Sequence, residues 1–154
     1  MPPRRLSPHD DMAPVLRLIQ TAFAYMDGRI DPPSSMQRLT VAGIAEQARL
    51  GDVWVIGPQP VACMFLTPQP GQLYLGKLAT HPDARGQGHA RTLLALATRR
   101  AKALHLPVLS LKTRVELTEN HAFFRALGFR ETGRTAHPGF DRPTTLIFTK
   151  KIAL

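Results

Sequence analysis

At 154 residues, 44% hydrophobic and 20% charged, the chain suits one globular domain with a real core. No apolar run reaches membrane-span length, and the polar start Met1-Pro2-Pro3-Arg4-Arg5 is no secretory signal. The lone Cys63 excludes an internal disulfide and fits a reducing, cytoplasmic setting, while a net charge of +9 asks for an anionic partner such as nucleic acid, anionic lipid or an anionic cofactor.

In chain order, Arg4 to Ser7 reads as a short strand, with Ser7 or Asp10 available to cap the first helix. Val15, Leu18, Ile19, Ala22 and Phe23 recur at helical spacing, which predicts a helix over 12–25 with one apolar face. Gly28 and the Pro32-Pro33 pair forbid its continuation, so 25–35 is a long loop carrying Tyr25, Met26, Asp27 and Asp31. Thr40 reads as the N-cap of a helix over 41–50 that Gly51 ends. Strands follow at 53–56 and 61–66, then a central strand from Leu73 to Thr80, joined by Pro/Gly turns that imply antiparallel hairpins. Leu73, Leu75, Lys77 and Ala79 alternate with Tyr74, Gly76, Leu78 and Thr80 along the central strand. Cys63, inside an apolar strand with no Cys-His pattern near it, is a core residue.

A helix over 89–105 follows, with Leu93, Leu94, Ala97, Ala101 and Leu104 buried and Arg99, Arg100 and Lys102 facing water. The basic cluster on it is a solvated face, so nucleic acid is the weaker reading of the charge. Strand, crossing helix and a strand over 108–113 imply one parallel pair. Thr118 reads as the cap of a helix over 119–127, stopped by Gly128, and two last strands lie over 129–135 and 144–150. The fold class is therefore α/β, with a mixed, mostly antiparallel sheet, one parallel pair, helices on both faces, and no internal domain boundary.

Between the central strand and the long helix lies Arg85-Gly86-Gln87-Gly88-His89-Ala90. Glycines there let the backbone bend tightly and let a ligand approach with no Cβ in the way. The helix start that follows offers unpaired N–H groups and partial positive charge, a site for phosphate. The stretch from Leu78 to Ala90 resembles the acetyl-CoA signature of the GNAT superfamily of N-acetyltransferases, Gln/Arg-x-x-Gly-x-Gly/Ala, through Arg85, Gly88 and Ala90. Phe123-Phe124-Arg125-Ala126-Leu127-Gly128-Phe129 is similar to that superfamily's aromatic pair before x-x-x-Gly-Phe.

The resemblance implies acetyl-CoA as the acyl donor and an amine as acceptor, either a small molecule or an exposed amino group of a peptide. It implies cofactor contacts from Leu78, Ala79, Thr80, Arg85, Gly86, Gln87, Gly88, His89, Ala90 and Arg91, with Asn120 on the amide arm and Phe124 beside the thioester. A backbone N–H near Ala79 would steady the thioester oxygen, and the loop with Tyr25, Asp27 and Asp31 would shape the acceptor site. Asp27 and Asp31 hint at a cationic acceptor.

Two positions depart from the superfamily pattern. Leu117 stands where an Asn is common, leaving Asn120 as the nearest substitute. Phe124 stands where a Tyr usually acts as acid, so the thiolate leaves unaided or takes a proton from water, Tyr25 or Tyr74. A thiol pKa of about 8.5 makes that tolerable. The attacking amine must be neutral, which calls for a base: Glu116 first, His81 second, His137 third. No metal-ligand spacing, Ser-His-Asp pattern or Walker-type Lys is present. A different acyl group or acceptor, a non-catalytic CoA-binding module and a basic nucleic-acid module remain open alternatives, as does a homodimer.

Overall fold

The computed structural model describes residues 1–154. Its strands are β1 (Arg4–Arg5), β2 (Asp52–Ile56), β3 (Ala62–Gln69), β4 (Gln72–Thr80), β5 (Val108–Arg114), β6 (Arg130–Thr135) and β7 (Thr145–Lys151). Its helices are α1 (Ala13–Phe23), α2 (Val41–Leu50), α3 (His89–Ala103) and α4 (Thr118–Ala126). The strands form a single sheet in the order β1-β2-β3-β4-β5-β7-β6. Tight turns make β2–β3 and β3–β4 antiparallel, and α3, crossing over the sheet, returns β5 parallel to β4. This is the expected α/β class. No helix is long and apolar enough to cross a membrane.

Each face of the sheet has its own core. Ala62, Met64 and Leu66 of β3 pack with Leu73 and Leu75 of β4 under Leu93, Leu94, Leu96, Ala97 and Ala101 of α3. On the other face Val53, Val55, Cys63 and Phe65 pack with Val15, Leu18, Ile19 and Ala22 of α1 and Ile44 and Ala48 of α2. Strand alternation supplies both faces at once. Cys63 is fully buried, and that burial pushes its thiol up to about 12, so it is a core residue.

The alternation expected along β4 fails at one place. Phe65 pairs with Gly76 and Cys63 with Ala79, so Lys77 and Leu78 together oppose the single Met64. This is a β-bulge, and Lys77 takes the left-handed conformation within it (φ +48°). Beyond the bulge the side-chain parity is reversed. Leu73 and Leu75 lie in the α3 core with Leu78 against it, whereas Ala79 lies in the α1–α2 core.

Local details also differ from the sequence reading. Neither Ser7 nor Asp10 caps α1: Asp10 accepts the Ser7 N–H (2.6 Å), and Asp11 Oδ1 accepts from Ala13 N (3.0 Å). Thr118 is the first residue of α4 rather than its cap, the N-cap being Leu117. Thr40 does cap α2, accepting from Gly43 N at 3.0 Å. Because α3 ends at Ala103, Leu104 falls outside the buried stripe and is 36% exposed, and Leu96 is buried instead.

Arg100 does not face open water. Its Nε lies 2.8 Å from the buried Asp52, which also takes Arg5 at 2.9 Å and the Trp54 indole N–H at 2.8 Å. One carboxylate thus ties β1, β2 and the end of α3 together. Removing the carboxylate leaves the Trp54 N–H and two partly solvated arginines without their acceptor. Asp52→Ala should therefore cost about 2 kcal/mol, read as a lower urea midpoint at unchanged slope.

Candidate active site

β4 and β5 are paired only over Leu73–Leu75 and Leu109–Leu111. After that β4 stays with β3 as far as Thr80, while β5 stays with β7 through Arg114. The bulge turns β4 away, the strands part, and their facing backbone groups lose their ladder partners. A cavity of about 980 Å³ fills the opening. It runs along β4 from Tyr74 to Thr80, past the first turn of α3, along the end of β5, and against α4 and the loop after α1. That volume is at the upper end for small-molecule sites.

At one end lies the glycine turn. Gly86 (φ +79°) and Gly88 (φ +82°, the N-cap of α3) both adopt a left-handed conformation, and a Cβ at either would meet nothing within 4 Å. Here glycine serves the backbone turn and leaves its surface open, and the free N–H groups of the first turn of α3 stand beside it. Leu78, Ala79, Thr80, Arg85, Gly86, Gly88, His89, Ala90 and Arg91 all line the cavity, whereas Gln87 is exposed and does not. The Arg85 guanidinium donates to the Ala22 carbonyl at 3.2 Å and lies 5.4 Å from the centre of the Tyr25 ring. Arg29 stands 5.6 Å from the same ring and makes a bidentate ion pair with Glu119 of α4 (2.8 and 3.1 Å).

On the α4 side, Asn120 and Phe124 line the cavity. Phe124 is also a core residue, 8% exposed, edge-on to Phe123 (5.4 Å) and Phe129 (5.8 Å). The ring therefore belongs to the cavity wall and to the core at once. Sequence reasoning did not single out Thr113, which lies on the same wall with a buried hydroxyl that has no hydrogen-bond partner. A lone Thr in a strand carries no local signal for such a position.

The three candidate bases separate sharply. The imidazole Nδ1 of His81 accepts from Asp83 N (3.1 Å) and caps the short turn before α3, away from the cavity lining. Glu116 is also off the wall, with Oε2 accepting the Asp31 N–H at 3.3 Å and Oε1 buried without a partner. His137, from the loop between β6 and β7, does line the cavity. Its Nδ1 meets the Thr144 hydroxyl, which also accepts from His137 N (2.9 Å). Partial burial, and secondarily the charge of Arg114, hold its imidazole below the usual value of 6.5.

Of the loop residues, Tyr25 lines the cavity, while Asp27 and Asp31 do not. Asp27 borders a small neighbouring hollow of about 160 Å³, and Asp31 stands 3.8 Å from Arg142. Instead the wall carries Lys77, Lys112 and Arg114, none of which the sequence reading singled out. Burial raises the Tyr74 phenol above its usual value, so it keeps its proton at neutral pH.

The model of the acetyltransferase (GNAT) family matches residues 16–129, well over half of the chain. The chain belongs to the GNAT acetyltransferase family. Solved structures agree with this assignment at the level of the fold. The PaiA N-acetyltransferase from Thermoplasma acidophilum, in complex with coenzyme A, is 14% identical, with a TM-score of 0.78 over 97% of each chain. A GNAT family acetyltransferase from Elizabethkingia anophelis with acetyl-CoA bound is 15% identical, with a TM-score of 0.69 over 97% of each chain. The ribosomal-protein-S18-alanine N-acetyltransferase from Escherichia coli is 19% identical, with a TM-score of 0.64 over 99% of this chain and 95% of that one. No curated protein sequence matches the chain significantly.

In this GNAT-family chain Phe124 joins the cavity wall to the α3-side core. Phe124→Ala should therefore lower stability by about 3 kcal/mol, measured by urea denaturation. A loss below about 1 kcal/mol would mean that the ring only borders the cavity.

Proposed function

We propose that the protein transfers an acetyl group from acetyl-CoA to the amine of a small molecule or of an exposed peptide amino group, by direct attack on the thioester. The observation that carries this reading is the parting of β4 from β5, which ends at the open turn Gly86–Gly88. A long, flat, polyanionic ligand fits such a place. Bare strand edges suit the amides of its arm, and the helix start suits its pyrophosphate. The unpartnered Thr113 hydroxyl and the cavity position of Asn120 add polar groups along the same path. Two of the fold relatives hold coenzyme A or acetyl-CoA.

In this reading the turn over Gly86–Gly88 and Arg91 hold the pyrophosphate. The coenzyme supplies an activated acyl group. A backbone N–H near Ala79 steadies the oxygen charge as the amine attacks. The amine must lose a proton, and His137 is the cavity-lining group suited to take it. The Thr144 hydroxyl accepts from His137 N and donates to the Thr135 carbonyl at 3.4 Å. Its remaining lone pair accepts Nδ1–H, which leaves Nε2 unprotonated and able to act as base. Phe124 has no proton to give, and the raised Tyr74 phenol serves better as a hydrogen-bond donor than as an acid. The CoA thiolate leaves without one.

Two measurements test this. A base held below the ordinary histidine range is neutral at pH 7, and activity falls as pH drops through its pKa. His137→Gln should lower kcat/KM on the order of a hundredfold near pH 7 and remove that acid limb. The deficit should narrow at high pH, where the amine is neutral unaided. An unaltered profile would return the role to Glu116 or to bulk water. Separately, Gly88→Val puts a branched side chain at a left-handed position on the open turn. CoA affinity should fall at least about tenfold with the circular dichroism spectrum retained, and unchanged affinity would remove the turn from the site.

A further inference from the structure

The cavity is lopsided in charge. Lys77, Lys112 and Arg114 line it where β4 and β5 part, in addition to Arg85 and Arg91 at the glycine turn. Its only lining carboxylate is Glu119, which is already engaged on both oxygens by Arg29. Continuing the register beyond Leu75 and Leu111 puts Lys112 level with Gly76, beside the bulge that carries Lys77. These three cations therefore sit on the strands rather than at the turn, on the part of the cavity left for the acceptor.

None of the three makes an ion pair with a carboxylate in that wall. Lys77 Nζ donates to the Ser35 hydroxyl at 2.8 Å, which neutralises nothing. Arg114 donates to the Pro32 and Pro33 carbonyls at 2.7 and 3.0 Å. Lys112 Nζ stands 5.8 Å from the centre of the Tyr74 ring. Glu116 and Asp31 partly offset Arg114 from behind the wall, outside the cavity lining; Glu116 Oε2 takes the Asp31 N–H while its Oε1 has no partner, and Asp31 faces Arg142. Burial, and then the nearby charges of Arg114 and Arg38, lower the Lys77 ammonium below its ordinary value. Lys77 and Arg114, like charges held near each other in a part-buried place, would be relieved by an anion, with the exposed Lys112 at the same opening.

Resting on the acyltransferase reading, we propose that the acceptor amine carries a compact oxyanion, a carboxylate or a phosphate, bound by Lys77, Lys112 and Arg114. A bulge fixes the Lys77 backbone and two carbonyls fix the Arg114 fork, so the donors are positioned before the ligand arrives. A polyamine or other cationic acceptor would meet three cations and no free carboxylate.

The test does not need the natural acceptor. The protein saturated with CoA is titrated calorimetrically with N-acetyl amino acids of varied side chain, each against its carboxamide. A parallel arm sets N-acetylethanolamine phosphate against N-acetylethanolamine. The anionic member of one pair should bind at least tenfold more tightly, and whichever arm responds tells carboxylate from phosphate. Lys77→Gln and Lys112→Gln should each cut that ratio to within a few-fold. Arg114→Gln serves as a third variant, since it also loosens the Pro32–Pro33 loop. Equal binding, no binding by either member, or preference for the neutral member overturns the proposal while CoA still binds. Failure of the wild-type protein to bind CoA overturns the acyltransferase reading itself.

Discussion

The β-bulge at Lys77–Leu78 is the constraint on which the site depends. Two residues against one reverse the side-chain parity of β4, so a single strand serves the α3 core before the bulge and the α1–α2 core after it. The same irregularity ends the β4–β5 ladder after three residue pairs. From there each strand keeps its outer neighbour, and the opening between them is bounded by two well-packed half-sheets. A non-glycine residue in a left-handed conformation costs on the order of 1–3 kcal/mol. Slipping β4 by one residue to remove the bulge would move Ala79 out of one core and Leu78 away from the other. Register locked by burial on both faces therefore holds the strained residue in place.

The loop after α1 is the second determinant, and different forces hold it. Met26 and Ile30 pack on Leu117 at the start of α4, forming a small apolar cluster of their own. Around it lie polar ties to the far side of the opening: Arg114 to the Pro32 and Pro33 carbonyls, Arg29 to Glu119, Asp31 N–H to Glu116 and Lys77 to Ser35. The Arg29–Glu119 pair is exposed at both ends and contributes little to stability by itself. A segment tied mainly by such contacts opens locally more readily than the sheet beneath it.

The net charge of +9 acquires a location from these contacts. Asp52 ties β1, β2 and α3 through arginine and Glu119 pairs with Arg29 at the cavity rim, while Glu46 and Glu131 pair with arginines three residues on within their own elements. With these acids engaged, cations along the strands and at the glycine turn dominate the cavity lining. On the proposed reading, a polyanionic coenzyme and an anionic acceptor would account for such a wall without nucleic acid.

The hairpins, the parallel crossover, the α2 cap at Thr40, the buried Cys63 and the glycine turn were all legible in the sequence. Each is set by a few neighbouring residues through dihedral preference, hydrophobic period or a missing Cβ. The bulge was not legible, because Leu73 to Thr80 alternates cleanly on paper and only pairing with β3 reveals the extra residue. Where Glu116, His81 and His137 lie relative to the cavity was equally hidden. It turns on His81 capping its own turn, on Glu116 bonding to a loop from the other end of the chain, and on His137 resting on Thr144 across a hairpin. That Asp27 and Asp31 lie off the cavity lining was hidden for the same reason, since position in a loop says nothing about which way the loop faces. Local sequence determined the elements and the glycine turn. Contacts between residues far apart in the chain decided where the sheet opens, which groups face the opening and what charge they present there.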